Sequence, residues 1–127
     1  MKIQNEGRTF AKNASVCVTR IGFRAPGAGE RVFAEEVCDL KLAQSSRAVF
    51  NLASGGHRFV DLVHATQRGQ SVGLAFDFVE VPIRLIRLGF GSGDYEMEVV
   101  ATAENAKSVS HLIKWSWNGT LDGLTMP

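Results

Sequence analysis

The chain has 127 residues, of which 45% are hydrophobic and 21% charged, and its formal net charge at pH 7 is +1. A chain of this length fits one hydrophobic core, so we expect residues 1–127 to form a single domain. The composition is that of a folded globular protein and excludes a disordered tail. The small net charge creates no field that would attract nucleic acid or an anionic membrane, and we expect neither as a partner.

Alternating apolar and polar residues, separated by turn residues, predict about eight short strands. The predicted strands cover residues 3–5, 14–23, 48–52, 58–66, 72–79, 83–88, 94–103 and 109–117. Residues 31–44 are ambiguous, because they fit either a short helix around residues 33–37 or a strand over residues 37–42. Turn signals at this spacing are typical of a β-sandwich or a barrel, so we expect an all-β fold.

The last two predicted strands carry the clearest pattern. In residues 94–103, apolar side chains alternate with three acidic ones, as in a half-buried strand. Residues 109–117 alternate in the same way and place Trp115 and Trp117 on one face. With only a short turn at residues 104–106 between them, the two runs predict an antiparallel strand pair.

Residues 5–16, 53–62 and 95–106 carry turn-and-strand motifs that resemble those of bacterial immunoglobulin-like modules, including the cell-adhesion-related bacterial domain. Residues 5–16 are similar to their N-x-G-x-x-x-A-x-N-x-x-V opening, and residues 95–106 to their closing Y-x-x-x-V-x-A-x-N strand. Residues 53–62 resemble their central L-x-P-G-x-x-x-V-x-L turn, with Ser54 in place of the usual proline. The resemblance implies an immunoglobulin-like β-sandwich of about seven or eight antiparallel strands. It also implies a non-catalytic interaction or spacer domain, and it brings no catalytic residues.

The polar residues form no pattern typical of catalysis or metal binding. His57 and His64 lie seven residues apart around one predicted strand and would point to opposite faces, while His111 would be a hydrogen-bonded residue at the core boundary. Asp61 and His64 would also point apart, and no serine lies in a nucleophile-elbow sequence. We therefore expect no enzyme, no metal site and no cofactor.

The glycine-rich loop at residues 89–94 lacks the features of a phosphate or calcium loop and predicts a hairpin connection. Glu35 and Glu36 are adjacent in an ambiguous segment and are interpreted as solvated. Neither segment therefore adds a candidate catalytic group.

Two groups of residues are candidates for binding. Trp115 and Trp117 share a face that could stack on a sugar or a peptide, although aromatic residues at alternate strand positions more often fill a core. Together with Phe76 and Phe78 they could line an apolar interior that holds a lipid-like or aromatic molecule. The second group comprises arginines that could form a small anion-binding patch or discourage pairing at an edge strand: Arg84 and Arg87, with Arg20 and Arg24 elsewhere.

The sequence also predicts a location and a partner. The first seven residues contain no apolar run like that of a signal peptide, and no stretch reaches 18 apolar residues, so we expect a cytoplasmic protein with Cys17 and Cys38 reduced. Only Lys2 to Gln4 precede the predicted first turn, which predicts a poorly covered sheet margin and a symmetric dimer. The sequence favours a module that binds a protein partner or itself. The alternative is the small-ligand-binding sandwich or barrel.

Overall fold

The computed structural model describes residues 1–7, 11–27, 29, 32–35, 38–40, 42, 48–81 and 91–125. In these residues the chain forms β-strands and no helix, which confirms the all-β prediction. The strands are β1 (Lys2–Gln4), β2 (Ala11–Arg24), β3 (Val32–Ala34), β4 (Cys38–Asp39), β5 (Val49–Leu52), β6 (His57–Phe59), β7 (Val63–Arg68), β8 (Ser71–Phe76), β9 (Gly93–Ala103), β10 (Ala106–Trp117) and β11 (Leu124–Thr125).

A seven-stranded antiparallel sheet forms the centre of the molecule, with β2 and β9 in its middle. On one side of β2 lie β5, β4 and β3, each paired with a different part of that long strand. On the other side, β9 pairs with β10, and β10 with the two-residue β11. In the described residues the sheets stay open and do not close into a barrel.

A register shift in β2 keeps its apolar side chains on one face of the sheet. Val16 and Val18 are buried at even positions, but the pairing with β9 shifts between Val18 and Arg20, and the next buried side chain is the odd-numbered Ile21. A β-bulge of this kind inserts one residue and reverses the alternation. Strict alternation from the sequence would have sent Ile21 to the wrong face.

Two smaller ladders, β1 with β6 and β7 with β8, contribute the remaining strands. The segment after β4 connects them to the central sheet, since Leu40 forms a bridge with Phe78 and Leu42 with Val60. The Leu40 N–H also donates to the Val16 carbonyl of β2 at 2.9 Å. Backbone hydrogen bonds therefore cross between the central sheet and the ladders.

The hydrophobic core draws on the central sheet and on the segments beside the smaller ladders. Its fully buried side chains, with less than 2% exposure, are Tyr95, Ile21, Leu40, Met97, Val16, Val18 and Val60. No polar or charged residue of the described chain is buried with them. Burial of apolar area is therefore the main force that holds these strands together.

Two details differ from the sequence-based expectation. The predicted strand over residues 58–66 is divided into β6 and β7, because the chain changes its partner after Val60. Up to Val60 it pairs with the N-terminal segment and Leu42, whereas β7 pairs with β8. His57 and His64 therefore lie on different strands. The ambiguous segment contains the strands β3 and β4, and its described residues form no helix. The predicted strand at residues 83–88 lies outside the described residues.

Candidate interaction surface

Trp115 and Trp117 lie in the core, with exposures of 3% and 4%. The Trp115 ring stacks on Tyr95 of β9, with 4.1 Å between ring centroids and an interplanar angle of 1°. Tyr95 in turn contacts Phe23 of β2 at 4.9 Å. Register explains this row, since β10, β9 and β2 place the three rings opposite one another on the inner face of the sheet. The tryptophans are therefore packed against neighbouring strands.

Phe76 and Phe78 pack against each other with 5.2 Å between ring centroids. Phe78 is buried, and Phe76 is half-buried against the same hydrophobic cluster that contains both tryptophans. The four aromatic residues predicted to line a ligand site thus contribute to one core.

The arginines predicted to bind anions separate into two groups. Arg84 and Arg87 lie outside the described residues. Arg24 donates from Nη2 to Asp94 at 3.1 Å, and Arg20 Nε lies 4.0 Å from the carboxylate of Glu35. Arg20 and Arg24 thus each face a carboxylate, which competes with an external anion.

His64 pairs with a carboxylate that the sequence did not indicate. Its Nδ1 lies 3.0 Å from both carboxylate oxygens of Asp77, whereas the prediction considered only Asp61. The register of β7 on β8 places His64 opposite Ala75, so Asp77 is its diagonal neighbour across the ladder. That register is set by the turn at Gly69, which joins β7 to β8. The turn residues are the one sequence feature that points to the pairing of His64 with Asp77.

The His64 and Asp77 pair borders an open cavity of about 520 Å³, whose lining residues are Met1, Val60, Asp61, Leu62, Val63, His64 and Asp77. No hydroxyl or thiol side chain is among these lining residues. The described residues also contain no cluster of three or more metal-binding side chains.

Cys17 and Cys38 are not bonded to each other. Their strands pair so that Cys17 lies opposite Asp39 and Cys38 lies opposite Val18. Because successive side chains of a strand point to opposite faces, the two sulfurs lie on opposite sides of the sheet. Burial, and to a lesser degree the charge of Asp39, raise the pKa of the Cys17 thiol. The thiol is therefore protonated at neutral pH.

The most exposed part of the described fold is the outer strand β10. Every residue from 104 to 112 is exposed, including His111, which was expected at the core boundary. Val109 and Leu112 are 65% and 52% exposed. β11 pairs only with Ser116 and Trp117, so residues 106–115 of β10 have no described partner strand on that side. We call this side the open edge of β10.

The neighbouring hairpin shows which backbone groups reach the open edge. The Asn118 N–H donates to the Gly123 carbonyl at 3.2 Å, on the side of β11. Backbone groups of alternate residues point to the same side of a strand, and the register from Val109 to Trp117 is continuous. The N–H and C=O groups of Ser110, Leu112 and Lys114 therefore point out of the sheet. The odd-numbered residues bond to β9.

The side chains along the open edge carry little charge. Lys114 lies 4.0 Å from Glu96 of β9, which partly balances it. Serines and apolar residues occupy the positions from Ser108 to Ile113, apart from His111. The sheet margin therefore presents an extended backbone whose charged residues are two lysines, Lys107 and Lys114, near its two ends.

Comparison with known protein families, with curated proteins and with solved structures finds no match to this chain. In the described residues, no helix has the length and apolar character needed to cross a membrane.

Proposed function

We propose that this chain is a non-catalytic binding or assembly module that contacts other proteins through the open edge of β10. The observation that supports it most directly is the exposed backbone of Ser110, Leu112 and Lys114. Unpaired N–H and C=O groups along a strand form a template for pairing with another chain. Proteins usually protect such edges with lysine, proline or bulges. Residues 109–115 contain no proline and no register shift, since the shift in β10 lies before Val109, and their one lysine, Lys114, is partly balanced by Glu96.

We also propose that the module is an immunoglobulin-like β-sandwich of bacterial type. The residues that carry the resemblance make structural contacts that suit such a module. Asn5 accepts a hydrogen bond from the Gly7 N–H and donates to the Leu52 carbonyl, which ties the opening turn to β5. Ser54, in the place of the usual proline, donates to the Gly7 carbonyl at 2.5 Å.

A cytoplasmic location is part of the proposal. It rests on Cys17 and Cys38, which form no disulfide with each other, since oxidising compartments favour disulfides. We further propose that the module needs no cofactor. We also propose that it has no nucleic-acid partner, since a net charge of +1 gives little attraction to phosphates.

Native mass spectrometry after gentle purification from the natural host tests this function. We expect the 13.8 kDa chain to retain a second polypeptide, either another protein or a copy of itself. A retained small molecule would instead favour the alternative, in which Phe76, Phe78, Trp115 and Trp117 enclose an apolar ligand. A bare monomer, with neither adduct at any concentration, would contradict the proposed function.

A matched pair of variants links the adduct to the edge. Leu112→Pro removes an outward N–H and leaves the ladder with β9 intact, whereas Leu112→Ala keeps that N–H and removes only the side chain. We expect the proline variant to lose the polypeptide and the alanine variant to keep most of it. Equal retention by both would show that another surface binds.

A further inference from the structure

We infer that the occupant of the open edge is β10 of a second copy of this chain, in an antiparallel pair around a two-fold axis at His111. This inference rests on the proposed function, since it names the partner of that same edge. It joins two central sheets into one continuous sheet, with the axis perpendicular to it.

The length and exposure of β10 favour this edge over the others. The N-terminal strand β1 has three residues, and short edge strands pair poorly with another chain. The strands of the β7 and β8 hairpin are six residues long, and most side chains of β8 are half-buried. By contrast, β10 has twelve residues, and its first seven are exposed. It is therefore the longest accessible edge in the described chain.

The side-chain order of β10 is complementary to itself when His111 lies on the axis. In that register Val109 faces Ile113 of the second copy, so the most exposed large apolar residue of the described chain meets another apolar residue. Ser110 faces Leu112, and these are outward-pointing residues that would exchange about four backbone hydrogen bonds across the two symmetric pairs. Neighbouring registers are less favourable. The register centred on Ser110 places Val109 opposite His111, and the register centred on Leu112 shortens the ladder, because Ser116, whose edge β11 occupies, then faces Ser108 instead of Ala106.

The charges of β10 permit this pairing. Its two lysines lie near opposite ends of the strand, at positions 107 and 114. With the axis at His111, Lys114 faces Ser108 and Lys107 faces Trp115, so no like charges lie directly opposite each other. Like charges in opposite positions would destabilise the pair.

A cysteine at the axis tests the register. His111 would face its own copy in a non-hydrogen-bonded pair, in which Cα atoms are about 4.5 Å apart, within the range that a disulfide spans. In a Cys17→Ser background, we expect His111→Cys to form a covalent dimer under mild oxidation. Leu112→Cys is the matched control, because its Cα would lie roughly 8 Å from its copy, too far for a disulfide. A cross-link at Leu112→Cys but not at His111→Cys would overturn the register.

Sedimentation equilibrium tests the dimer without covalent chemistry. The wild-type chain should approach twice 13.8 kDa at high micromolar concentration, as expected for a small interface of moderate affinity. We expect Leu112→Pro to remain monomeric, and Leu112→Ala to weaken association by no more than about tenfold. Circular dichroism of both variants shows whether the fold is kept. If the proline substitution unfolds the chain, the His111→Cys cross-link tests the dimer in its place.

The outcomes separate this inference from the function on which it rests. A wild-type dimer that Leu112→Pro leaves intact would overturn the inference, while self-assembly as a function would stand. A monomer that binds a different protein through β10 would also overturn the inference, while protein binding as the function would stand. A monomer that binds no polypeptide at all would overturn both. A dimer that Leu112→Pro abolishes and His111→Cys locks would support both.

Discussion

The two buried tryptophans differ in the environment of one atom. Trp117 Nε1 donates to the Thr120 carbonyl at 2.8 Å, whereas Trp115 Nε1 is buried and has no hydrogen-bond acceptor in the described chain. A buried donor without an acceptor has lost its hydrogen bonds to water and forms none in the folded chain, which lowers stability. The row of Trp115, Tyr95 and Phe23 thus combines good ring packing with one unsatisfied polar group.

This difference predicts unequal costs for the same substitution. Trp117→Phe removes a hydrogen bond, while Trp115→Phe removes an unsatisfied N–H, so we expect Trp117→Phe to lower the unfolding free energy by about 1 kcal/mol more. Urea denaturation followed by the fluorescence of the remaining tryptophan measures both. A larger loss for Trp115→Phe would show that its indole nitrogen has an acceptor.

Tyr95 predicts a specific loss of stability at alkaline pH. Burial raises the pKa of Tyr95 above its ordinary value of 10.0, so the folded chain keeps the proton that the unfolded chain releases. The resulting stabilisation is complete below about pH 10 and decreases as the pH rises further. Because Tyr95 is the only tyrosine, tyrosinate absorbance should appear only when the chain unfolds.

The Tyr95→Phe variant is the matched control for this titration. It lacks the hydrogen bond from the Tyr95 hydroxyl to the Gly91 carbonyl and should be less stable than the wild type at pH 8. The difference in unfolding free energy should narrow towards pH 11. Tyrosinate absorbance in the folded wild-type chain near pH 10 would contradict the burial of this ring.

At the scale of single residues, the sequence could predict the aromatic core but not its polar neighbours. The alternation in residues 109–117 was enough to place Trp115 and Trp117 on one face. The pair of His64 and Asp77 depends on the register of two strands across a hairpin, which the alternation of either strand leaves undetermined.

At the scale of elements, Gly93 marks the start of β9 and requires a glycine. Its φ is 151°, and a Cβ there would clash with the Arg24 carbonyl oxygen and the Phe23 ring. We expect Gly93→Ala to cost roughly 2 to 4 kcal/mol, from strain and displacement of the end of β2. Thermal or urea unfolding measures the loss.

Gly73, in the middle of β8, is the matched control. A Cβ at Gly73 meets no described atom within 4 Å. Alanine there should leave stability unchanged or raise it by up to about 1 kcal/mol, because it restricts the unfolded chain. Similar losses of stability for both variants would contradict the close approach of Gly93 to the Arg24 carbonyl oxygen and the Phe23 ring.

Patterns along the chain predict which elements exist, but not where each one changes partner. The final strand pair was predicted to within a few residues, since both strands alternate strongly. The division of residues 58–66 into β6 and β7 was missed, because it follows from Val60 pairing with Met1 and Leu42. The open edge of β10 is also invisible to sequence patterns, since it depends on how far β11 extends beside β10.

At the scale of the whole molecule, the fold should not depend on a disulfide. Cys17 and Cys38 lie on opposite faces of the central sheet, so adding a reductant should leave the melting temperature unchanged. A disulfide typically contributes about 2 to 4 kcal/mol, which would correspond to a decrease of several degrees. A decrease of that size in differential scanning calorimetry would contradict the pairing of β2 with β4.

Hydrogen exchange resolved by residue, across a range of protein concentrations, tests the open edge of β10 most directly. At low micromolar concentration the amides of Ser110 and Leu112 should exchange rapidly, whereas those of His111 and Ile113, bonded to β9, should be protected. At high concentration Ser110 and Leu112 should become protected as the second copy pairs with them. Protection of Ser110 and Leu112 in the dilute monomer, or rapid exchange at every concentration, would contradict the account.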